Sequence, residues 1–179
     1  MTPNIGPIEV GVLIAYVSMV ALVDIDTHRI PNALSATAAV LGLSLQLWVN
    51  GAAGVLSALG GAAVGLAIFL PFYVLRAFGA GDVKAMATVG IFLGAQVTLL
   101  AAAFTLVAGA ILGVIVLLLS SGATSVLYRL AGVAAAPISS VRDRRSTASS
   151  PVRRFAYGGA IAIGTLATLV VTSAGHVRF

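Results

Sequence analysis

The stretch Asp24-Ile-Asp-Thr-His-Arg-Ile-Pro-Asn32 separates two long apolar runs, and three of its nine residues are charged. Such a concentration stands out here, because only 8% of the 179 residues are charged and 60% are hydrophobic. Asp24 comes directly after the first apolar run, which extends from about Ile8 to Val23. A carboxylate at the end of an apolar helix is costly to place, and this makes Asp24 a candidate for function.

The composition is that of a polytopic membrane protein, with a mean hydropathy of +1.11. The runs are continuously apolar rather than alternating, which indicates helices and not a barrel. Met1 to Pro7 lacks the basic residues of a cleaved signal, so the first run is interpreted as a retained span. We therefore expect an all-α membrane bundle that forms one domain over residues 1–179.

About 20 apolar residues are needed to cross the hydrocarbon, and six runs satisfy that requirement approximately. The stretch from Ala85 to Leu119 is too long for one span, and Gly94-Ala-Gln96 predicts a turn inside it. Glycines at Gly60-Gly61, Gly65 and Gly109 to Gly113 favour close helix packing. The six predicted transmembrane helices lie near 8–23, 33–49, 54–75, 85–100, 101–119 and 156–174.

The basic residues predict the orientation of the bundle. Nine of the ten fall in loops on one side, which places those loops in the cytoplasm and the N-terminus and Arg178-Phe179 outside. A cytoplasmic loop is expected over about 120–155, where arginines can contact anionic lipid headgroups. The nine are Arg29, Arg76, Lys84, Arg129, Arg142, Arg144, Arg145, Arg153 and Arg154. Asp24 consequently faces the cytoplasmic boundary of the inner membrane.

A second polar motif, Gly79-Ala-Gly-Asp-Val-Lys84, lies on the same predicted side. Its glycines allow tight backbone conformations next to Asp82, so a substrate backbone can approach closely. Two carboxylates at one membrane face are the parts of an aspartic protease, in which one acts as base and the other as acid. Taken alone, Asp82 fits a helix cap and Asp24 fits an interfacial end cap equally well.

Other chemistries find little support in the sequence. The chain has no cysteine and only two isolated histidines, so neither a thiol nucleophile nor a metal site is expected. No phosphate-binding loop is present, and no cofactor is predicted. The net charge of +5 is not arranged as a basic stripe with aromatic residues, so nucleic acid is not an expected partner.

The neighbours of the two aspartates receive supporting roles. Pro31 is predicted to open the second helix at its first position, and Asn32 to hold the turn through its side chain. Lys84 is expected either to neutralise the site or to anchor the helix at the headgroups. The remaining residues have simpler interpretations: Asp26 and Glu9 as solvated side chains, and Trp48 and Tyr157 as interfacial anchors.

The pattern Asp24-x5-Ile30-Pro31-Asn32 followed by Gly79-x-Gly-Asp82-Val-Lys84 resembles the prepilin peptidases, or type IV leader peptidases, which are polytopic GxGD aspartic endopeptidases. The resemblance implies that Asp24 and Asp82 are catalytic and Asp26 is not. It also implies that Pro31, Asn32, Gly79, Gly81 and Lys84 shape the site. The segment Phe155 to Gly164 is similar to the family's last helix entrance, although Ala156 stands where the family usually has proline.

The resemblance also implies a substrate, a prepilin or pseudopilin whose short basic leader is removed at the cytoplasmic face. The cysteine-free chain has no room for the methyltransferase domain of the large family members, so it is similar to the short, peptidase-only branch associated with tight-adherence pili.

Three other functions fit parts of the pattern. A presenilin-like intramembrane protease shares the Gly-x-Gly-Asp motif, but that family is expected to show a Tyr-Asp dyad where this chain has Val23-Asp24. A small ion-coupled or proton-coupled transporter would use the aspartates as a relay. A structural assembly factor would tolerate neutral amides at both positions.

Overall fold

The computed structural model describes residues 6–27, 30–75, 77–119 and 157–174. The chain divides into two compact units, one made of Met1–Gly109 with Ala156–Phe179 and the other of Ala110–Phe155. The second unit is described only over 110–119, so the account below concerns the first. The predicted single domain remains a prediction.

The described residues form four helices and contain no strand. The helices are α1 (Pro7–Thr27), α2 (Asn32–Val74), α3 (Ala80–Leu119) and α4 (Gly158–Ser173). The first three are long and apolar enough to cross a membrane. The predicted all-helical membrane fold is thereby confirmed, whereas the count of about six spans stays a prediction. The predicted loop over 120–155 lies outside the described residues, as do all the predicted loop arginines.

Two glycines interrupt the longest helices. Gly51 in α2 has φ 61° and Gly94 in α3 has φ 72°, values that residues with a Cβ rarely adopt. An unbroken helix of 43 residues would measure about 64 Å, roughly twice the hydrocarbon thickness. Gly94 confirms the predicted turn at Gly94-Ala-Gln96, and Gly51 lies between the runs predicted at 33–49 and 54–75.

The contacts of α2 show that it reverses direction at Gly51. Along the half of α2 before Gly51, successive residues contact α3 residues of increasing number, so these two segments run parallel. Along the half after Gly51, successive residues contact α3 residues of decreasing number, so this half runs antiparallel to the same segment of α3. In order along α2, the contacts are Ser35 with Thr88, Gln46 with Phe92, Gly61 with Gly90, and Gly65 with Met86.

The second half of α3 also returns toward its starting end, because it packs antiparallel to α4. Gly164 of α4 faces Thr105, while Tyr157, just before α4, faces Gly109. The N-terminus of α4 in turn contacts Val20 and the C-terminal end of α1. The end of α1 and the starts of α2, α3 and α4 therefore gather at one end of this unit, and the glycine turns lie at the other.

Glu9 was predicted to be a solvated residue at the start of α1, and the structure contradicts this. Its side chain is only 1% exposed. Its Oε2 accepts a hydrogen bond of 2.7 Å from the amide of Gly6, while the Gly6 carbonyl accepts one from Val10. A glutamate that reaches back to the amide before a helix supplies half of a capping box, so the carboxylate turns inward to cap the helix.

Close packing at Gly61 generates a stability prediction. A Cβ at this position would overlap the backbone of Gly90, which cannot move without shifting α3. Gly61→Ala should therefore lower the free energy of unfolding by roughly 1–3 kcal/mol, the usual cost of overpacking. Thermal unfolding in detergent measures the effect.

Gly60→Ala is the matched control, because its Cβ would meet the Ala95 Cβ at an ordinary 3.6 Å. It should be neutral or should gain up to about 1 kcal/mol from helix propensity. Equal stabilities for the two variants would contradict the packing of α2 on α3.

Candidate active site

Asp24 lies in the last turn of α1 and is only 4% exposed. The helix continues to Thr27, about one turn beyond the apolar run predicted near 8–23. Its Oδ2 accepts a hydrogen bond of 2.6 Å from the amide of Gly158, the first residue of α4. The first amides of a helix lack acceptors within that helix. Asp24 thus supplies an acceptor to α4 from a different helix.

Gly158 allows this contact because it has no side chain. A Cβ there would lie 2.8 Å from the Asp24 Cβ and 2.9 Å from its Oδ2, distances that real Cβ atoms do not show. The close approach of α4 to α1 and the hydrogen bond to Asp24 therefore depend on the same glycine.

Asp82 lies in the first turn of α3 and is 9% exposed. Its Oδ2 accepts a hydrogen bond of 2.8 Å from the amide of Gly79, and its own amide donates to the Gly79 carbonyl over 3.1 Å. The carboxylate therefore makes the helix-capping contact that the sequence allowed. The same contact fixes its orientation at the entrance of α3.

The two polar motifs are distant in the chain but touch in the structure. Gly81 packs against Ile30, where a Cβ would come within 3.0 Å of the Ile30 Cβ. Lys84 Nζ donates a hydrogen bond of 2.8 Å to Asn32 Oδ1. Asp24 lies in the last turn of α1 and Asp82 in the first turn of α3, next to these contacts. The structure thus brings both aspartates and both motifs to one end of the bundle.

Pro31 differs from its predicted role. It occupies the extended N-cap position of α2, with φ −62° and ψ 133°, rather than the first helical position. The side-chain oxygen of Asn32 accepts a hydrogen bond from Lys84. Lys84 therefore ties the two motifs together. Gly79 lies against the Asp82 carboxylate and Gly81 against Ile30, and their role in the approach of a substrate stays a prediction.

Asp26 is exposed, in contrast to Asp24. Residues two apart on a helix point in different directions, so only one of the two carboxylates can face the interior. This arrangement agrees with the interpretation of Asp26 as a solvated companion. Within the described ranges, no group of three or more His, Asp or Glu side chains is placed to hold a metal ion.

Tyr157 was predicted to be an interfacial anchor, but it is buried, with 7% exposure. Its ring centroid lies 4.2 Å from that of Phe78, and its hydroxyl donates to the Thr105 carbonyl over 3.3 Å. The hydroxyl thus acts as a hydrogen-bond donor inside the bundle. Its position directly before two glycines at a helix start was the available sequence signal.

The described part of the chain is an apolar helical bundle with two buried carboxylates near one end, which is typical of a membrane-embedded protein. Residues 11–114, more than half of the chain, match the model of the type IV leader peptidase family. The chain belongs to this family, and it is accordingly a membrane peptidase with prepilin-type substrates. The match includes both aspartates and ends before α4. Comparison with curated proteins and with solved structures gave no significant match.

The bond between Lys84 and Asn32 generates a prediction about coupling between the motifs. Asn32→Ala and Lys84→Met should each destabilise the fold slightly, and together by less than the sum. The coupling energy should be about 0.5–1 kcal/mol, because the bond is exposed. A double-mutant cycle of thermal unfolding measures it.

Thr37 provides the control for this cycle. Its hydroxyl bonds only to carbonyls of its own helix, at Ala33 and Leu34. Thr37→Ala combined with Lys84→Met should therefore show additive effects. A coupling as large as that of the Asn32 pair would mean that the measured energy does not report the motif contact.

Proposed function

We propose that this protein is an aspartic endopeptidase in which Asp24 and Asp82 form the catalytic pair. The observation that carries the proposal is the juxtaposition of two buried helix-end carboxylates on motifs that touch. Two carboxyls that interact in a poorly solvated place resist carrying two charges at once. Such a pair titrates as a unit and supplies one base and one acid together.

The reaction is hydrolysis without a covalent intermediate. The ionised carboxylate removes a proton from water, whose oxygen attacks the scissile carbonyl carbon. The protonated carboxyl gives its proton to the carbonyl oxygen, producing a neutral tetrahedral diol. The carbon–nitrogen bond then breaks as the carboxyl that took the water proton gives a proton to the leaving amine, while the other carboxylate takes a proton from a hydroxyl of the diol, which becomes the product's carbonyl. Both carboxyl groups thereby return to their starting states.

The proposed substrate is a prepilin or pseudopilin with a short basic leader that lies at the cytoplasmic face of the inner membrane. Charge asymmetry of the loops supports this orientation, because it puts the aspartate end of the bundle inside. Gly79 and Ala80 are exposed beside the buried Asp82, so an extended substrate backbone has access to this carboxylate.

Substitution of the aspartates tests the catalytic pair. Asp24→Asn and Asp82→Asn should each lower the rate of leader removal by at least about 100-fold, since an amide neither accepts nor supplies the required proton. The measurement is mass spectrometry of a purified prepilin incubated with the purified peptidase in detergent. The mass of the product also locates the cleaved bond.

Asp26→Asn is the matched control, because Asp26 is exposed on the same helix turn. It should retain most of the activity, and all three variants should unfold near the temperature of the unmodified protein. Full processing by Asp82→Asn would refute the assignment. Cleavage within the membrane span of the substrate would instead favour a presenilin-like specificity.

Single cysteines test the proposed membrane face, since the chain contains none to remove. Asp26→Cys lies at the aspartate end, and the exposed Ala52→Cys lies beside the turn at Gly51, about 28 Å along the helix from Asn32. A membrane-impermeant maleimide should label Asp26→Cys in inside-out vesicles and Ala52→Cys in right-side-out vesicles. The reverse pattern would place the catalytic pair on the outer face.

A further inference from the structure

Tyr157 lies between the segments that hold the two aspartates. On one side, the next residue along the chain is Gly158, whose amide bonds to Asp24. On the other side, its ring packs on Phe78 at a centroid distance of 4.2 Å. Phe78 directly precedes Gly79, whose amide bonds to Asp82. The Asp24 carboxylate therefore accepts from the residue that follows Tyr157, and the Asp82 carboxylate accepts from the residue that follows Phe78.

The ring of Tyr157 is confined from its other sides as well. Its hydroxyl donates to the carbonyl of Thr105 in α3. Gly109, one turn further, leaves room for the ring, because a Cβ at that position would overlap its Cε2, Cζ and Oη atoms. Phe69 packs edge-on at 6.2 Å. The ring therefore has one well-defined position, set by α2, α3 and the start of α4.

Phe78 belongs to the connection between α2 and α3, where its amide bonds to the Phe72 carbonyl over 3.3 Å and its ring stacks on that of Phe72 at 5.0 Å. Its ring also packs on that of the buried Phe69, at a centroid distance of 5.3 Å. Phe69 and Phe72 both belong to α2, so they hold Phe78 from one side. The contact with Tyr157 joins this connection to the start of α4.

We propose that Tyr157 is a positioning residue that sets the separation of the Asp24 and Asp82 carboxyl groups. The proposal rests on the function proposed above and concerns α4, which the family match does not include. Tyr157 acts through Gly158 on one carboxylate and through Phe78 and Gly79 on the other, without entering the reaction. Catalysis by two groups is sensitive to such geometry, since a displacement of about 1 Å can cost about 100-fold in rate.

Tyr157→Leu tests the proposal, because it preserves apolar volume and removes the aromatic stacking. Its kcat should fall by about 100-fold with KM nearly unchanged. Tyr157→Phe should recover most of kcat, since the ring contact with Phe78 survives and only the hydroxyl bond to Thr105 is lost. Equal kcat values for the leucine variant and the unmodified enzyme would overturn the proposal, as would a phenylalanine variant as slow as the leucine one.

Gly109→Ala displaces the same ring while Tyr157 remains in the sequence. It should lower kcat, whereas Gly113→Ala, one turn along the same helix, should not, because a Cβ there meets no atom within 4 Å. Combining Gly109→Ala with Tyr157→Leu should cost little beyond Tyr157→Leu alone, since the obstructed ring is gone. Additive losses would mean that Gly109 acts by a route other than the ring and would count against the proposal.

The design separates this proposal from the function on which it rests. If the unmodified protein cleaves a prepilin and the Asp24→Asn and Asp82→Asn variants do not, the catalytic pair stands. Under that result, a fully active Tyr157→Leu variant refutes the positioning role alone. Unfolding temperatures of all variants are measured in parallel, and a loss of kcat at unchanged KM and unfolding temperature supports it.

Discussion

The hydrogen bond between the Asp24 carboxylate and the Gly158 amide joins the two ends of the described chain across 134 positions of sequence. A buried charge without partners would cost several kcal/mol, so Asp24 can be placed inside the bundle only where donors exist. The N-terminus of α4 supplies such a donor, and the absence of a Cβ on Gly158 lets it approach. The packing of α4 against α1 and the burial of Asp24 therefore depend on the same contact.

The glycine turns determine what else reaches that end of the bundle. Helices as long as α2 and α3 would carry their termini about twice the hydrocarbon thickness away if they were straight. By reversing at Gly51 and Gly94, both return to the end at which they began. Asp82, which opens α3, and the second half of α3, which supports Tyr157, consequently lie beside Asp24. Positive φ angles at two glycines thus permit a site assembled from all four helices.

The sequence was most informative where residue type alone determines the structure. Apolar content predicted the helical membrane fold, Gly94 predicted a turn, and the polar motifs identified residues that the structure brings together. It was least informative where the decisive group is a backbone amide, because an amide has no residue-specific signature. The role of Gly158 could not be predicted for that reason. For the same reason Glu9 was predicted to be solvated, whereas its capping contact with a backbone amide buries it. Tyr157 was assigned to an interface because aromatic residues near span ends usually lie there.

The residues that match the family model include the two carboxylates but not all of the groups that contact them or their neighbours in the structure. The matched residues, 11–114, contain both carboxylates and both polar motifs. Yet the amide that bonds to Asp24 and the ring that supports Phe78 come from residues 157 and 158. Without that amide, Asp24 would lose a buried hydrogen bond, and the end of α1 would lose its close contact with the start of α4. Under the proposed function, the two carboxylates and the groups that orient them therefore come from separate parts of the chain.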